Sequence, residues 1–215
     1  MEFYGSIVRF FQEGGVFMYP IMLVFAAGVA IAIERYVYLT ASKARNRKLI
    51  TQLMPILKTG DFQKAFNAAG KSKQAISQIL ALGLSRLNTA KRRDDIEMAM
   101  EEGMMEVIPK LEKRTHYLAT FANIATLLGL LGTIIGLIQA FTAVAAADPA
   151  QKADLLSSSI SVAMNTTAFG LMAAIPLLLI YTVLQTKTTE IVDSLEMATV
   201  KFANVITEKQ VSKAQ

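Results

Sequence analysis

Residues 127–141 read LLGLLGTIIGLIQAF, an almost wholly apolar run interrupted by Gly129, Gly132 and Gly136, with one hydroxyl, Thr133, among them. In a soluble helix each glycine costs roughly 1 kcal/mol relative to alanine, so helix propensity alone does not hold such a segment. A membrane offers the reason. Lipid supplies no hydrophobic force between helices, and close backbone approach through small residues takes its place. Gly132 and Gly136 have the GxxxG spacing on one face, and Thr133 points beside that face. The plain reading of Thr133 is a hydroxyl bonded to its own i−4 carbonyl.

Working outward, no Asp, Glu, Lys or Arg occurs over residues 115–147, a run of 33, nor over 155–186, a run of 32. Both exceed the roughly 20 apolar residues that span a bilayer. A third run, residues 16–33, follows Gly14-Gly15, contains Pro20, and closes in Glu34-Arg35 with Tyr36 and Tyr38 at the depth of an aromatic belt. With 53% hydrophobic and 18% charged residues, the composition is far from that of an ordinary soluble domain. The sequence predicts an all-α integral membrane protein with three transmembrane helices, the second and third carrying long cytoplasmic extensions. The expected order is a periplasmic amphipathic helix over 1–15, spans over 16–40, 115–146 and 155–186, a cytoplasmic helical region over 41–114, a periplasmic loop over 147–154, and a cytoplasmic C-terminal helix over 187–215.

Orientation follows from the cations. Arg9 and Lys152 fall on one side of the three spans and the other 20 of the 22 Lys and Arg on the opposite side, which the positive-inside rule makes cytoplasmic. The net charge of +5 follows from this topology and is no nucleic-acid footprint. The first span carries Glu2 and Glu13 against Arg9 in its leader and no small-residue cleavage site after its core, so it reads as retained rather than as a signal peptide. With no cysteine and a single histidine, His116, at the mouth of a span, no metal cluster is expected, and His116 reads as an interface residue.

Phe3, Ile7, Phe10 and Phe11 have the spacing of a short helix lying on the outer membrane surface. Lys43, Arg45, Arg47 and Lys48 read equally as headgroup contacts or as a solvated topology signal. Asp61 predicts an N-cap and Gly70 the stop of a short amphipathic helix, a second follows over about 74–87, and the pair needs a third partner to bury its apolar face. From Ile96 onward Met100, Met104, Val107, Ile108 and Leu111 recur at helical spacing, which predicts one helix continuing into the second span through Val144, loosened at Pro109.

The third span is unusually polar, with Ser157, Ser158, Ser159, Ser161, Asn165, Thr166 and Thr167 in its first half. Ser158, Ser161 and Asn165 share one face, and Ala163, Thr167, Gly170 and Ala174 form a small-residue face beside it. Such groups line a bundle interior or a watery path, or they join helices at about 0.6 kcal/mol each, and the chemistry alone weighs the two equally. Pro176 frees the carbonyl of Met172 and predicts a kink. No carboxylate, lysine or histidine lies over residues 155–186 or within the core of the second span, so a proton relay would need a group from another chain.

These residues carry a resemblance. Ile33-Glu34-Arg35 with Tyr38-Leu39, Ile108-Pro109-Lys110-Leu111-Glu112, Gly129-Leu130-Leu131-Gly132-Thr133 with Gly136 and Phe141, and Thr167-Ala168 with Gly170-Leu171 and Ala173-Ala174-Ile175-Pro176 resemble the MotA/TolQ/ExbB proton-channel family, most closely its ExbB/TolQ branch. The resemblance covers nearly the whole chain. It implies a homo-oligomeric ring in the bacterial inner membrane, typically a pentamer, around an ExbD/TolR-like single-span partner that supplies a membrane aspartate. It also implies that Thr133 and Thr167 line the ring; the polar face adds Thr166, Asn165 and Ser161 as expected ion-pathway residues, and the small-residue spacing makes Gly129, Gly132, Gly136, Gly170 and Ala174 the expected packing residues. Val162 stands where that branch often has a glutamate, and Thr166 where proton-driven members have a small apolar residue. Hard cations take oxygen ligands. The transported cation is therefore expected to be H+ or Na+, with sodium near Thr133, Thr166 and Thr167.

No nucleophile with a base, phosphate loop or cofactor motif appears, so no enzyme and no cofactor is expected. Two other classes compete: a membrane scaffold whose polar residues only pack helices, and a small-solute transporter, which usually carries internal repeats that three spans do not show.

Overall fold

The computed structural model describes residues 14–87 and 93–214, with side chains up to residue 209. The described residues form α1 Met18–Lys58, α2 Phe62–Gly70, α3 Ala75–Ser85, α4 Arg93–Glu112, α5 His116–Ala146 and α6 Lys152–Ala214. The surface helix expected around Phe3 to Phe11 lies outside them. Three helical runs, α1, α4 with α5, and α6, are long and apolar enough to cross a membrane. The chain divides into two compact units, one built from the segment up to Glu34 with Arg114–Val183, the other from Arg35–Lys113 with Leu184–Gln215.

The first unit holds the apolar starts of α1 and α6 together with α5. On α5, Leu127, Leu130, Leu131, Ile134, Ile138 and Phe141 are exposed. At 100° per residue they form one stripe, and the buried Leu118, Ala122, Ala125 and Ala140 lie on the opposite face. Large apolar groups point outward and small ones inward, the inverse of a soluble bundle and the arrangement lipid demands. Gly28 of α1 gives way to Leu177 of α6, since a Cβ there would stand 2.7 Å from its Cδ2. The link between α5 and α6 is closed by Gln151 N–H donating to the Asp148 carbonyl at 2.9 Å.

The second unit is a helical body with an apolar interior that includes Leu53, Leu57, Ile96, Met100 and Phe202. Asp61 caps α2, accepting from Lys64 N–H at 3.0 Å. Gly70 is its last helical residue, and the chain leaves through Lys71 in the right-handed region instead of a left-handed glycine stop. Gln74 offers α3 no side-chain cap. Asn46 takes that role from α1: it is 3% exposed, and its Oδ1 accepts from Ile76 N–H at 3.1 Å. The α2–α3 hairpin buries Ile76, Ile79 and Leu80, and α3 lies close against α4, where a Cβ on Gly103 would meet the Ile79 Cα at 3.0 Å.

One expectation needs correction. The helix expected to continue from Ile96 to Val144, loosened at Pro109, passes Pro109 but stops at Glu112 and restarts at His116, with Arg114 at a φ of 68°. Within the second unit, buried Arg35 donates through Nη2 to the Leu111 carbonyl at the end of α4. Cations at a helix C-terminus are favoured. Within the first, Arg114 pairs with Glu34 at 3.1 Å. Helix α1 continues past residue 40 to Lys58, and Asn46 and Ser42 bury their polar groups against each other. At Pro176 the assigned helix α6 continues without a break.

Candidate functional site

Within the first unit α5 and α6 meet along two rows of small residues. A Cβ added to Gly129 would stand 3.3 Å from the Cα atoms of Gly170 and Thr167. One on Gly136 would stand 2.8 Å from the Ala163 Cβ, and one on Gly170 2.7 Å from the Ala125 carbonyl oxygen. The backbones therefore touch, which only residues without a Cβ allow. Ala174 is buried in the row that Gly170 begins.

That close approach brings two hydroxyls together. Thr133 Oγ1 and Thr167 Oγ1 are hydrogen-bonded to each other across the seam. Thr167 Oγ1 lies 2.8 Å from the Gly129 carbonyl, and Thr133 Oγ1 lies 3.3 Å from the same carbonyl and 3.4 Å from that of Ala163. Each hydroxyl has one proton and two lone pairs. One order that serves the cluster is Thr133 donating to Thr167 and Thr167 donating to Gly129. Both threonines are half-buried, at the margin between the small-residue seam and the exposed faces that carry Ile134 and Leu171.

Thr166 goes elsewhere. It is 2% exposed, and its hydroxyl lies 2.6 Å from the Gly14 carbonyl and 3.0 Å from that of Val162. Its methyl occupies the space that a Cβ on Gly132 would need. Consecutive helical residues point about 100° apart, so Thr166 and Thr167 serve different partners. The oxygen group expected from Thr133, Thr166 and Thr167 is thus two threonines with the Gly129 and Ala163 carbonyls, without Thr166. Asn165 is half-buried and Ser161 exposed, both turned away from the seam, and Pro176 is exposed. Gly14 is the partner sequence reasoning missed, and the double glycine before the first span was the available signal. Among the described residues no group of three or more His, Cys, Asp or Glu is placed to hold a metal.

Residues 71–197 match the profile of the MotA/TolQ/ExbB proton channel family, more than half of the chain. The chain belongs to that family. A protein of Methanothermobacter thermautotrophicus named as an ExbB homologue is 28% identical over 199 residues, covering 92% of this chain and 69% of the relative. The Tol-Pal system protein TolQ of Haemophilus influenzae is 39% identical over 83 residues, 39% of this chain and 36% of that one. The structure of C. jejuni MotAB matches with a TM-score of 0.61 at 16% identity, over 95% of this chain and 84% of that one. This MotA/TolQ/ExbB member is a multi-pass membrane protein of channel type with an all-helical, MotAB-like fold.

Proposed function

We propose that the chain is the ring-forming subunit of an ExbB/TolQ-like ion-driven motor in a bacterial inner membrane. Its N-terminus and the 147–154 loop are periplasmic, and the Arg35–Lys113 region and the C-terminus are cytoplasmic. Several copies, five in the resembling proteins, enclose an ExbD/TolR-like single helix whose aspartate carries the ion, H+ or Na+, and the work is delivered to a periplasmic or outer-membrane process such as energised transport. The observation that supports this reading is the half-exposed Thr133–Thr167 pair, set in two runs without Asp, Glu, Lys or Arg. Hydroxyls inside lipid are satisfied locally unless they face a path, and this pair keeps lone pairs free for a newcomer. The test is Thr167→Val: transduction is lost while insertion and oligomeric mass are kept, and normal activity returns Thr167 to packing. For the ion, exchange of sodium for potassium at a fixed proton gradient abolishes activity in a sodium motor and leaves a proton motor untouched.

The same hydrogen bond favours a second reading, a scaffold in which the threonines only join α5 to α6. Unimpaired ion flux after replacing Thr133 and Thr167 together by valine would select it.

A further inference from the structure

Within the second unit α4 and α6 enclose a groove of about 390 Å³. Met104, Val200 and Ala203 form its apolar floor, and Glu97, Glu101 and Glu196 stand around it. Arg93 pairs with Glu97 at 2.7 Å on its rim.

The same unit carries an opposite charge on another flank. Lys43 pairs with Glu190 at 2.6 Å, and Lys187 donates to Thr40 Oγ1 at 3.1 Å. Both pairs are 147 residues apart, so α1 and α6 run parallel and in register. By that register Arg47 and Lys58 of α1 lie level with positions 194 and 205 of α6, just above and just below Glu196 and Ala203. Eleven residues apart, Arg47 and Lys58 fall within about 20° of one another on α1, and both are exposed. Glu190 and Glu196 are six residues apart and point about 120° apart around α6, so a protomer's own α1 and the acidic groove occupy different flanks.

We propose that the groove between α4 and α6 seats the Arg47–Lys58 edge of α1 from a second copy of this chain. The inference rests on the ring reading above: rotation about an axis along the membrane normal keeps depth unchanged, so only surfaces at equal depth can meet. A basic edge and an acidic groove at equal depth on two different flanks make a head-to-tail contact, the kind that closes into a ring. Its charges fix which flank meets which.

The chain has no native cysteine, which gives a clean test. Two differently tagged full-length chains, one with Glu97→Cys and one with Lys58→Cys, are co-expressed and oxidised in the membrane. A disulfide-linked heterodimer forms, and none forms when Lys71→Cys replaces Lys58→Cys. Native mass of the unmodified chain reads the ring separately. A ring without the cross-link overturns this contact and leaves the ring reading standing, whereas absence of any ring overturns both. A second measurement guards against a badly placed thiol. Replacing Glu97, Glu101 and Glu196 together by lysine dissociates the ring, and adding Arg47→Glu and Lys58→Glu to the same chain restores it. A ring indifferent to the lysines overturns the contact and assigns the groove to a partner other than a second copy.

Discussion

Thr133 and Thr167, 34 residues apart in sequence, are hydrogen-bonded to each other through their side-chain oxygens, and both crowd the Gly129 carbonyl. Such a bond in lipid is worth about 0.6 kcal/mol. Thr167→Val, which keeps the shape and removes the hydroxyl, should therefore leave assembly almost unchanged, lowering detergent melting by no more than a degree or two. Transduction should fall to background. Thr133→Val should have the same sign, and the double variant should cost less stability than the sum of the two single ones, because they share one bond.

Gly170→Ala should harm the fold more than any change at the hydroxyls. Its new methyl would meet the Ala125 carbonyl at 2.7 Å and Gly129 Cα at 3.0 Å, both backbone atoms of α5 that cannot turn aside. The helices must separate, costing about 1–3 kcal/mol, read as a lower melting temperature of the purified protein. Gly70→Ala is the contrast: nothing lies within 4 Å, so helix α2 should gain up to about 1 kcal/mol.

Asn46→Ala should destabilise the second unit by about 1–2 kcal/mol, since it removes the acceptor for Ile76 N–H at the start of α3. Hydrogen exchange should show Ile76 and its neighbours losing protection first.

Glu190 titrates below the usual carboxylate range because Lys43 hydrogen-bonds its ionised form and attracts it, with a smaller contribution from Lys187. A depressed folded value means the pair stabilises the protein above the ordinary carboxylate range and loses that contribution as pH falls through the lowered value. Both side chains are about half exposed, so the effect is small and salt-screened. Lys43→Met should raise the carboxyl titration of Glu190 seen by NMR, and added salt should narrow the difference between the two proteins.

Much of this was legible in the residues. Charge-free runs placed α5 and the first half of α6, Asp61 announced α2, and Gly129, Gly132, Gly136 and Gly170 marked the seam, because each depends on local composition or spacing. The rest depended on distant partners. Nothing around Arg114 signals a left-handed residue, since Glu34, 80 positions away, holds its side chain. Asn46 sits in a basic stretch where its neighbours hide a buried cap. Thr166 and Thr167 look alike in sequence, and only Gly14, 152 positions away, separates them.

Within the second unit α6 is helical from Leu184 to Ala214. That stretch keeps angular phase: inserting one alanine after Asp193 would swing every later side chain by about 100°, whereas seven would return them to within about 20°. Ile191 and Phe202, eleven residues apart and both buried, are therefore geared to one shaft, and what one can touch constrains what the other must bury.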